Sequence, residues 1–487
     1  MNRSRRTTNH EPRTNHNYAI LLAGGTGSRF WPQSRTLEPK QFLSLHKGKT
    51  LFESTLERIK SLIPKENILI ATAELYRQQI QELSFAYNIP EENFIYEKEG
   101  KNTAPSIGLS CRLIYLRDPL AKVCVLPCDH LIQNKNIFVS LLKEAFSICA
   151  GRLVVFGILP DRPATGYGYI KVRSPQTIVH CGPSTMDHRL AYEVERFTEK
   201  PDSNTAKRFV REKKYFWNSG IFAGSVKSFL NSFSMNQPVI YKQLLKLKNL
   251  SDMDRVWKNM PSISFDYAIL EKSGNLLMIL AKGLGWSDLG SWQAWDEILT
   301  KDKTGNVFRA DVINLDSKNI TVLGNKRLIA TIGLDDLIIV DTPDALLITK
   351  KGESEKVKNI VEILKKDKRQ EHYAHRTVKR PWGSYTVMDI GTGFKVKLVE
   401  VKPKRSLSLQ FHKERAEHWV VVDGVAQITK GKKKYKVYPN ESTFIPLSCI
   451  HRITNIGNKA LKIVEVQTGD YLEEDDIIRL KDEFGRT

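Results

Sequence analysis

The sequence predicts a doubly wound α/β domain on a mixed, mainly parallel sheet, then a small β connector, then an all-β barrel. Three observations carry this. From Tyr18 to about Trp295, short apolar runs (YAILLA, NILIAT, AKVCVLP, RLVVFGI) alternate with amphipathic helical stretches such as LFESTLERIKSLI, the pattern of a sheet covered by helices. Between Val307 and Lys350 the texture changes to short strands separated by turn residues, and a charged helical stretch, ESEKVKNIVEILKKDKR, follows. From Arg376 onward, FKVKLVEVKP, HWVVVDGVAQIT and ALKIVEVQ alternate with period two, as in a small antiparallel barrel or jelly roll.

These elements divide the 487 residues into a polar tail at 1–17, expected to be disordered, an α/β domain at 18–300, a connector with a linker helix at 301–370, and a barrel at 371–487. The length exceeds one ordinary core. MNRSRRTTNHEPRTNHN lacks the apolar centre of a secretory signal, and no later run is long enough to span a bilayer. A cytoplasmic protein without membrane contact is expected. Cysteines at 111, 124, 128, 149, 181 and 449 form no CxxC pair, so free, mostly buried thiols are expected. The net charge of +21 is dispersed; its runs are the tail, Lys365 to Arg369, and KGKKKYK at 430–436, where a hairpin would expose it. Dispersed charge argues against a nucleic-acid partner, which needs a concentrated basic footprint.

The first strand opens into LLAGGTGSRFWPQSRTLEPKQF at 21–42. Gly24, Gly25 and Gly27 allow backbone N–H groups to cradle an anion, and Arg29 and Lys40 flank them with the charge to neutralise a triphosphate. A tight strand-to-helix turn would use the same glycines. Asp129, in LPCDHLI, is a carboxylate at a strand end that suits Mg²⁺ or a helix N-cap equally. Asp288, in GWSDLGSW, suits a metal or a turn. Glu199 and Lys200, in RFTEKPD, suit a sugar and its phosphate or an exposed charged turn. The residues alone imply a phosphate-handling enzyme that uses Mg²⁺.

LLAGGTGSRFWPQSR, EPKQF, GKNTAPSIGL, LPCDH, TGYGYI, VERFTEKP, WNSGIF, SFDYAILEK and GWSDLGSW occur in this order. Over residues 18–295 this resembles the mannose-1-phosphate guanylyltransferases, sugar-nucleotide pyrophosphorylases with a Rossmann-like nucleotidyltransferase fold. The resemblance implies that GTP and mannose 1-phosphate give GDP-mannose and pyrophosphate. It implies that Gly24, Gly25, Thr26 and Gly27 hold the nucleotide, that Arg29 and Lys40 stabilise the phosphates, and that Asp129 and Asp288 hold Mg²⁺. Lys200 would meet the sugar phosphate, and Gly166, Glu199 and Asn218 the sugar. Asp161, Ala164 and Cys128 depart from the usual pattern.

The barrel carries SLQFHKERAEHWVVVDG and IPLSCIHRITN. Gln410 and His412 are two apart, hence on one strand face, and with Glu417 and His451 they suit a first-row metal. A lone strand histidine is more often structural. These stretches resemble cupin motifs, with Gln410 in place of the usual first histidine; with KRPWGSY and GDYLEEDDIIRLKDEFGR they resemble the type II phosphomannose isomerases. The resemblance implies a cupin barrel whose divalent transition metal, Zn²⁺ or similar, is held by Gln410, His412, Glu417 and His451. Mannose 6-phosphate and fructose 6-phosphate would interconvert there, with Arg479 the arginine implicated in catalysis. Surface salt bridging on a helix is the other reading of Arg479. Lys413, Glu414, Asn440 and Ser448 depart from the pattern, the last two standing where glycine is common. The alternative is a transferase whose cupin is a non-catalytic metal-binding or interaction module. A homo-oligomer is compatible with either.

Overall fold

Apolar runs with alternating faces dictate the first sheet. The computed structural model describes residues 15–25, 27–44, 48–173 and 191–482. Within them, nine strands form one sheet in the order Phe94–Glu97, Ile68–Ala73, Asn17–Leu22, Lys122–Pro127, Tyr215–Ser225, Leu153–Ile158, Leu276–Leu280, Ala191–Thr198 and Tyr169–Val172. Asn17–Leu22 pairs in parallel with both neighbours, whereas Tyr215–Ser225 enters antiparallel between Lys122–Pro127 and Leu153–Ile158. The sheet is therefore mixed. Tyr18 and Ile20 pack into a core with Phe229 and Phe265 on one face, while Ala19 and Leu21 pack with Phe52 and Phe138 on the other, as the strand period requires.

Helices begin where the local chemistry starts them. Thr50 and Glu53 form a reciprocal capping box that opens Leu51–Ile59. Leu51, Phe52, Leu56 and Ile59 then fall on its buried side.

The parallel register of Asn17–Leu22 and Lys122–Pro127 sets Leu22 opposite Pro127. Both chains leave the sheet at that edge, and the Cys128 amide donates to the Leu22 carbonyl (3.0 Å). The glycine loop and Asp129 consequently emerge side by side, at the edge where open α/β sheets bind ligands.

The chain divides into two compact units: residues up to Phe30, Glu38–Lys301 and Lys350–Lys358 in the first, and Trp31–Leu37, Asp302–Thr349 and Asn359 onward in the second. In the second, Val307–Leu315, Thr321–Ile332 and Leu337–Asp341 pair in parallel across short turns. Parallel neighbours normally need a long crossover, so such short links require the chain to coil. Asp316, Asn319 and Asp336 take left-handed backbone conformations at these turns, which Asp and Asn tolerate. The C-terminal region folds into antiparallel sheets of six and five strands around Trp382, Val399, Trp419, Ile428, Ile453 and Ile463. The basic run falls on the hairpin of Ala426–Lys430 and Lys433–Val437.

The structure refines the expected boundaries here. Residues 15–17, assigned to the tail, are ordered by contacts: Asn17 begins the first strand, His16 pairs with Asp118 (2.7 Å), and Asn67 donates to the Asn15 carbonyl. Residues 1–14 lie outside the described residues, as do Thr26 and Cys181. The connector's strands lie in one compact unit with the barrel. Lys350–Lys358 belongs to the first unit, where Lys351 pairs with Asp296 (3.1 Å) and Ser354 accepts from the Gln293 amide (3.1 Å). The described cysteines are free, with Cys111, Cys124, Cys128 and Cys149 buried and Cys449 half-buried.

Trp31–Leu37, immediately after the glycine loop, is bound inside the second unit. Thr36 and Leu37 donate from their amides to the His372 and Tyr373 carbonyls (3.0 and 2.9 Å), and the Trp31 indole donates to Glu371 O (2.9 Å). Arg35, fully buried, pairs with Asp344 at 3.1 Å. Burial opposes ionisation of Asp344, but His375, Arg35 and Thr342 together hold its carboxyl well below the usual range. Replacing Asp344 with Ala removes the carboxylate from a buried guanidinium and is expected to cost about 3–5 kcal/mol, read by urea unfolding at pH 7. Because the folded-state pKa is depressed, the difference from wild type narrows as pH falls below about 4; a difference independent of pH would refute the role.

Candidate active sites

Lys40 organises the first site. Pro39 starts the short helical turn Lys40–Phe42, and the Gln41 amide donates to Ala23 O (3.0 Å), tying that turn to the end of the first strand. Gly27 has φ +59°, and a Cβ there would lie 2.3 Å from Lys40 Cβ. Only glycine fits both the conformation and the approach. Lys40 is buried; its Nζ lies 3.1 Å from Asp129 Oδ2 and also donates to the Asp288 carbonyl. Gly24 and Gly25 differ from Gly27, because a Cβ on either would meet no described atom within 4 Å. Their bare backbone faces open space.

Neither carboxylate is a helix cap. Asn134, not Asp129, caps the helix Lys135–Ile148. Burial raises the Asp129 pKa, but Lys40 and His130 outweigh it and hold the carboxyl below its usual range. Asp288 does form a turn, accepting from the Gly290 amide (3.1 Å), and the same Oδ1 accepts from the Tyr167 hydroxyl (2.8 Å). His130 Nδ1 lies 3.3 Å from the Trp286 indole N–H, and its Nε2 lies 3.7 Å from Asp129 Oδ1. With Nδ1 accepting, the ring proton sits on Nε2, toward the carboxylate.

A second group lies around Gly168. Glu199 Oε1 pairs with Lys200 Nζ (2.8 Å), and Lys200, at φ 45°, donates its amide to Tyr167 O (3.2 Å). A Cβ at Gly168 would stand 2.6 Å from Glu199 Oε2, and the Asn218 amide donates to Gly168 O (2.8 Å). Asn218 Nδ2 donates to Asp266 Oδ1 (2.8 Å), while its Oδ1 accepts from the Gly220 amide (3.1 Å). Burial, then Glu199, pushes the Asp266 carboxyl up to about 7.

The structure thus joins Lys40, Asp129 and Asp288 by direct contact, and Glu199, Lys200 and Asn218 through Gly168. Arg29 is exposed and makes no hydrogen bond or ion pair among the described residues. Gly166 is exposed, and a Cβ there would meet no described atom within 4 Å. Asp266, Tyr167, His130 and Trp286 were missed by residue reasoning, although they lie within SFDYAILEK, TGYGYI, LPCDH and GWSDLGSW.

In the barrel, Gln410 and His412 share the strand Leu409–His412, Glu417 lies on Arg415–Asp423, and His451 begins His451–Asn455. His412 Nε2 lies 3.1 Å from Glu417 Oε1, His451 Nε2 lies 3.6 Å from Glu417 Oε2, and Gln410 Nε2 lies 3.5 Å from His412 Nε2. Ligand atoms of His412, Glu417 and His451 all lie within 4.8 Å of one another. Glu417 Oε2 and His451 Nε2 are buried without a hydrogen-bond partner. Two orphaned donors facing one point, on an acid and an imidazole, fit a metal cation. The His451 Nδ1 proton is directed by Cys449 O (2.8 Å), the orientation that frees Nε2 to ligate.

Around them, Gln467 Nε2 donates to both Glu417 Oε1 and Glu465 Oε2 (3.1 Å each). Burial, then the Glu417 charge, pushes Glu465 up; against its own burial penalty, Glu417 is held down by His412 and His451. Arg479 stands on a strand, Ile477–Lys481, opposite Gln410, and lines the same cavity as Gln410 and Glu417. That corrects the helix-surface reading. Asn440 and Ser448, where glycine is common, both have left-handed backbones (φ 69° and 57°), and the Asp476 carboxylate accepts from the amides of Lys413 and Glu414.

The nucleotidyl transferase family pattern matches residues 18–305, a mannose-6-phosphate isomerase/GMP-like β-helix domain 310–364, and a mannose-6-phosphate isomerase C-terminal domain 367–482. Mannose-1-phosphate guanylyltransferase 2 of Escherichia coli O157:H7 is 39% identical over 477 residues, 96% of this chain and 98% of that protein. The chain belongs to the mannose-1-phosphate guanylyltransferase family. Alginate biosynthesis protein AlgA of Pseudomonas aeruginosa, also similar, is 38% identical over 96% of this chain and 97% of its own. A solved structure from Thermus thermophilus, named a mannose-1-phosphate geranyltransferase, has a TM-score of 0.64 and 29% identity, covering 72% of this chain and all of that one. In this family member the β-helix match falls on the coiled parallel strands, and the isomerase match on the antiparallel barrel.

Asp266, half-buried, offers a test of this arrangement. Its raised pKa means the folded state keeps a proton that the unfolded state releases between pH 4 and 7, so wild type loses stability across that window as pH rises. Asp266→Asn does not titrate; its Tm relative to wild type should rise from pH 4 to 7 and then level. A flat difference would show that its surroundings do not hold the proton in this way.

Proposed function

We propose that this chain transfers GMP from GTP to mannose 1-phosphate and interconverts mannose 6-phosphate and fructose 6-phosphate at a separate site in its barrel. The observation that carries the first activity is the buried Lys40 ammonium touching Asp129 and the Asp288 carbonyl beside the bare Gly24–Gly25 backbone. Guanine and mannose rest on the relatives' names. These soluble phosphorylated substrates also support a cytoplasmic enzyme.

In the transfer, an oxygen of the sugar phosphate attacks the α-phosphorus of GTP in line and pyrophosphate leaves, so positioning and charge neutralisation do the work. The glycine-loop amides, including that of Thr26, cradle the nucleotide phosphates. Lys40 and Arg29 offset the charge that grows on the leaving pyrophosphate, and Arg29, exposed beside the loop, is the cation that can turn to it. Lys200 meets the phosphate of the sugar, while Glu199, Asn218 and Gly166 border its hydroxyls. Asp129 and Asp288 are the carboxylates that would hold Mg²⁺, which would supply positive charge against the phosphates.

For the isomerisation, Gln410, His412, Glu417 and His451 would hold a divalent transition metal, Zn²⁺ or similar, whose chemistry there would be to polarise the sugar carbonyl. Arg479 faces the same cavity and stays cationic, fit to hold an anionic oxygen rather than to take a proton.

Lys40→Met should lower kcat for pyrophosphate release from GTP and mannose 1-phosphate at least about 100-fold, the scale of removing one charge-stabilising donor, with isomerase turnover unchanged. A small effect would remove Lys40 from the site. Separately, isomerisation of mannose 6-phosphate should require added divalent metal and be absent in a Gln410→Ala, His412→Ala double variant that still releases pyrophosphate. A wild type inactive with metal, and normal in the transferase assay, would make the barrel a binding module.

A further inference from the structure

The isomerisation must move a proton between adjacent carbons, and no residue has yet been given that task. Building on the isomerase reading above, we propose that Glu465 is the proton carrier. Its strand, Leu461–Gly469, alternates so that Ile463, Glu465 and Gln467 point inward, and the register sets Glu465 opposite Trp419 and Gln467 opposite Glu417. Glu465 lines the same cavity as Gln410, Glu417 and Arg479 and is only 6% exposed.

The other groups lining that cavity are committed elsewhere. Glu417 belongs to the metal group. Glu474 is paired with Lys397 at 2.7 Å, which also occupies that ammonium. Arg380, Arg415 and Arg479 stay protonated, and burial raises the pKa of the Tyr385 phenol. Glu465 alone accepts hydrogen bonds only from neutral donors: the Trp419 indole to Oε1 and the Gln467 amide to Oε2, each at 3.1 Å. Each oxygen keeps a second lone pair, and a carboxylate not neutralised by a hydrogen-bonded cation keeps its basicity. Gln467 fixes its distance from the metal group by donating to Glu417 as well.

The step balances within the substrate. Glu465 takes the proton from C2 of open-chain mannose 6-phosphate, the C–H electron pair forms the C1=C2 bond, and the C1 carbonyl π pair moves onto O1 to give an enediolate. The O2 proton passes to O1; a lone pair left on O2 then forms the C2 carbonyl as the C1=C2 pair takes the proton back from Glu465 at C1. Fructose 6-phosphate results and Glu465 is restored.

The test uses the full chain. Glu465→Gln keeps the shape and the hydrogen bond from the indole; it should reduce isomerase turnover at least about 100-fold, the scale of a lost acid–base group. Bound metal per chain by elemental analysis, mannose 6-phosphate binding by calorimetry, and pyrophosphate release should remain as in wild type. Turnover near that of wild type would overturn the assignment. If the Gln variant loses its metal, Glu465→Asp decides: metal retained with turnover reduced supports the carrier, and metal retained with turnover intact overturns it. A wild type that binds metal but never isomerises overturns the isomerase reading itself, and the assignment falls with it.

Discussion

The parallel pairing of Asn17–Leu22 with Lys122–Pro127 is the constraint on which the first site depends. It sets Leu22 beside Pro127, so that two segments a hundred residues apart in sequence leave the sheet together. Everything polar in the site hangs from those exits: Lys40 closes onto Gly27, reaches Asp129, and through the Asp288 carbonyl ties in a third segment. A slip of one residue would reverse every face of the strand and separate the glycine loop from its carboxylate.

The barrel solves a different electrostatic problem. Two buried glutamates, Glu417 and Glu465, share one amide donor from Gln467. Like charges that close resist joint ionisation, and the surroundings push them apart: two imidazoles hold Glu417 charged, while burial favours the neutral form of Glu465. Such divergence within one cavity assigns distinct chemical roles to identical side chains.

Much of this was legible in the residues. Gln410 and His412 lie on one strand face because strands have period two, and the glycine loop and Asp129 fall at strand ends because the apolar runs stop there. Glu199 and Lys200 stood out as a charged pair, and the family resemblance added Asn218; the structure gathers the three around Gly168. What escaped depends on pairing between distant segments. Asp266 looks like any turn acid until the Asn218 amide and Glu199 are beside it. The antiparallel entry of Tyr215–Ser225 is invisible to local periodicity, since a fully buried strand reads the same in both directions. The alternative reading of Arg479, a salt bridge on a helix surface, fails on local structure: the helical turn is confined to Glu474–Asp476, and the strand begins at Ile477.

The interleaved make-up of the two units bears on how such a chain can be inherited. The backbone changes unit after Phe30, after Leu37, after Lys301, after Thr349 and after Lys358, and the insert Trp31–Leu37 sits directly behind the glycine loop. No single break in the gene yields either unit whole. A lineage that shed the barrel would have to retain a surface for Thr36 and Leu37 to pair with.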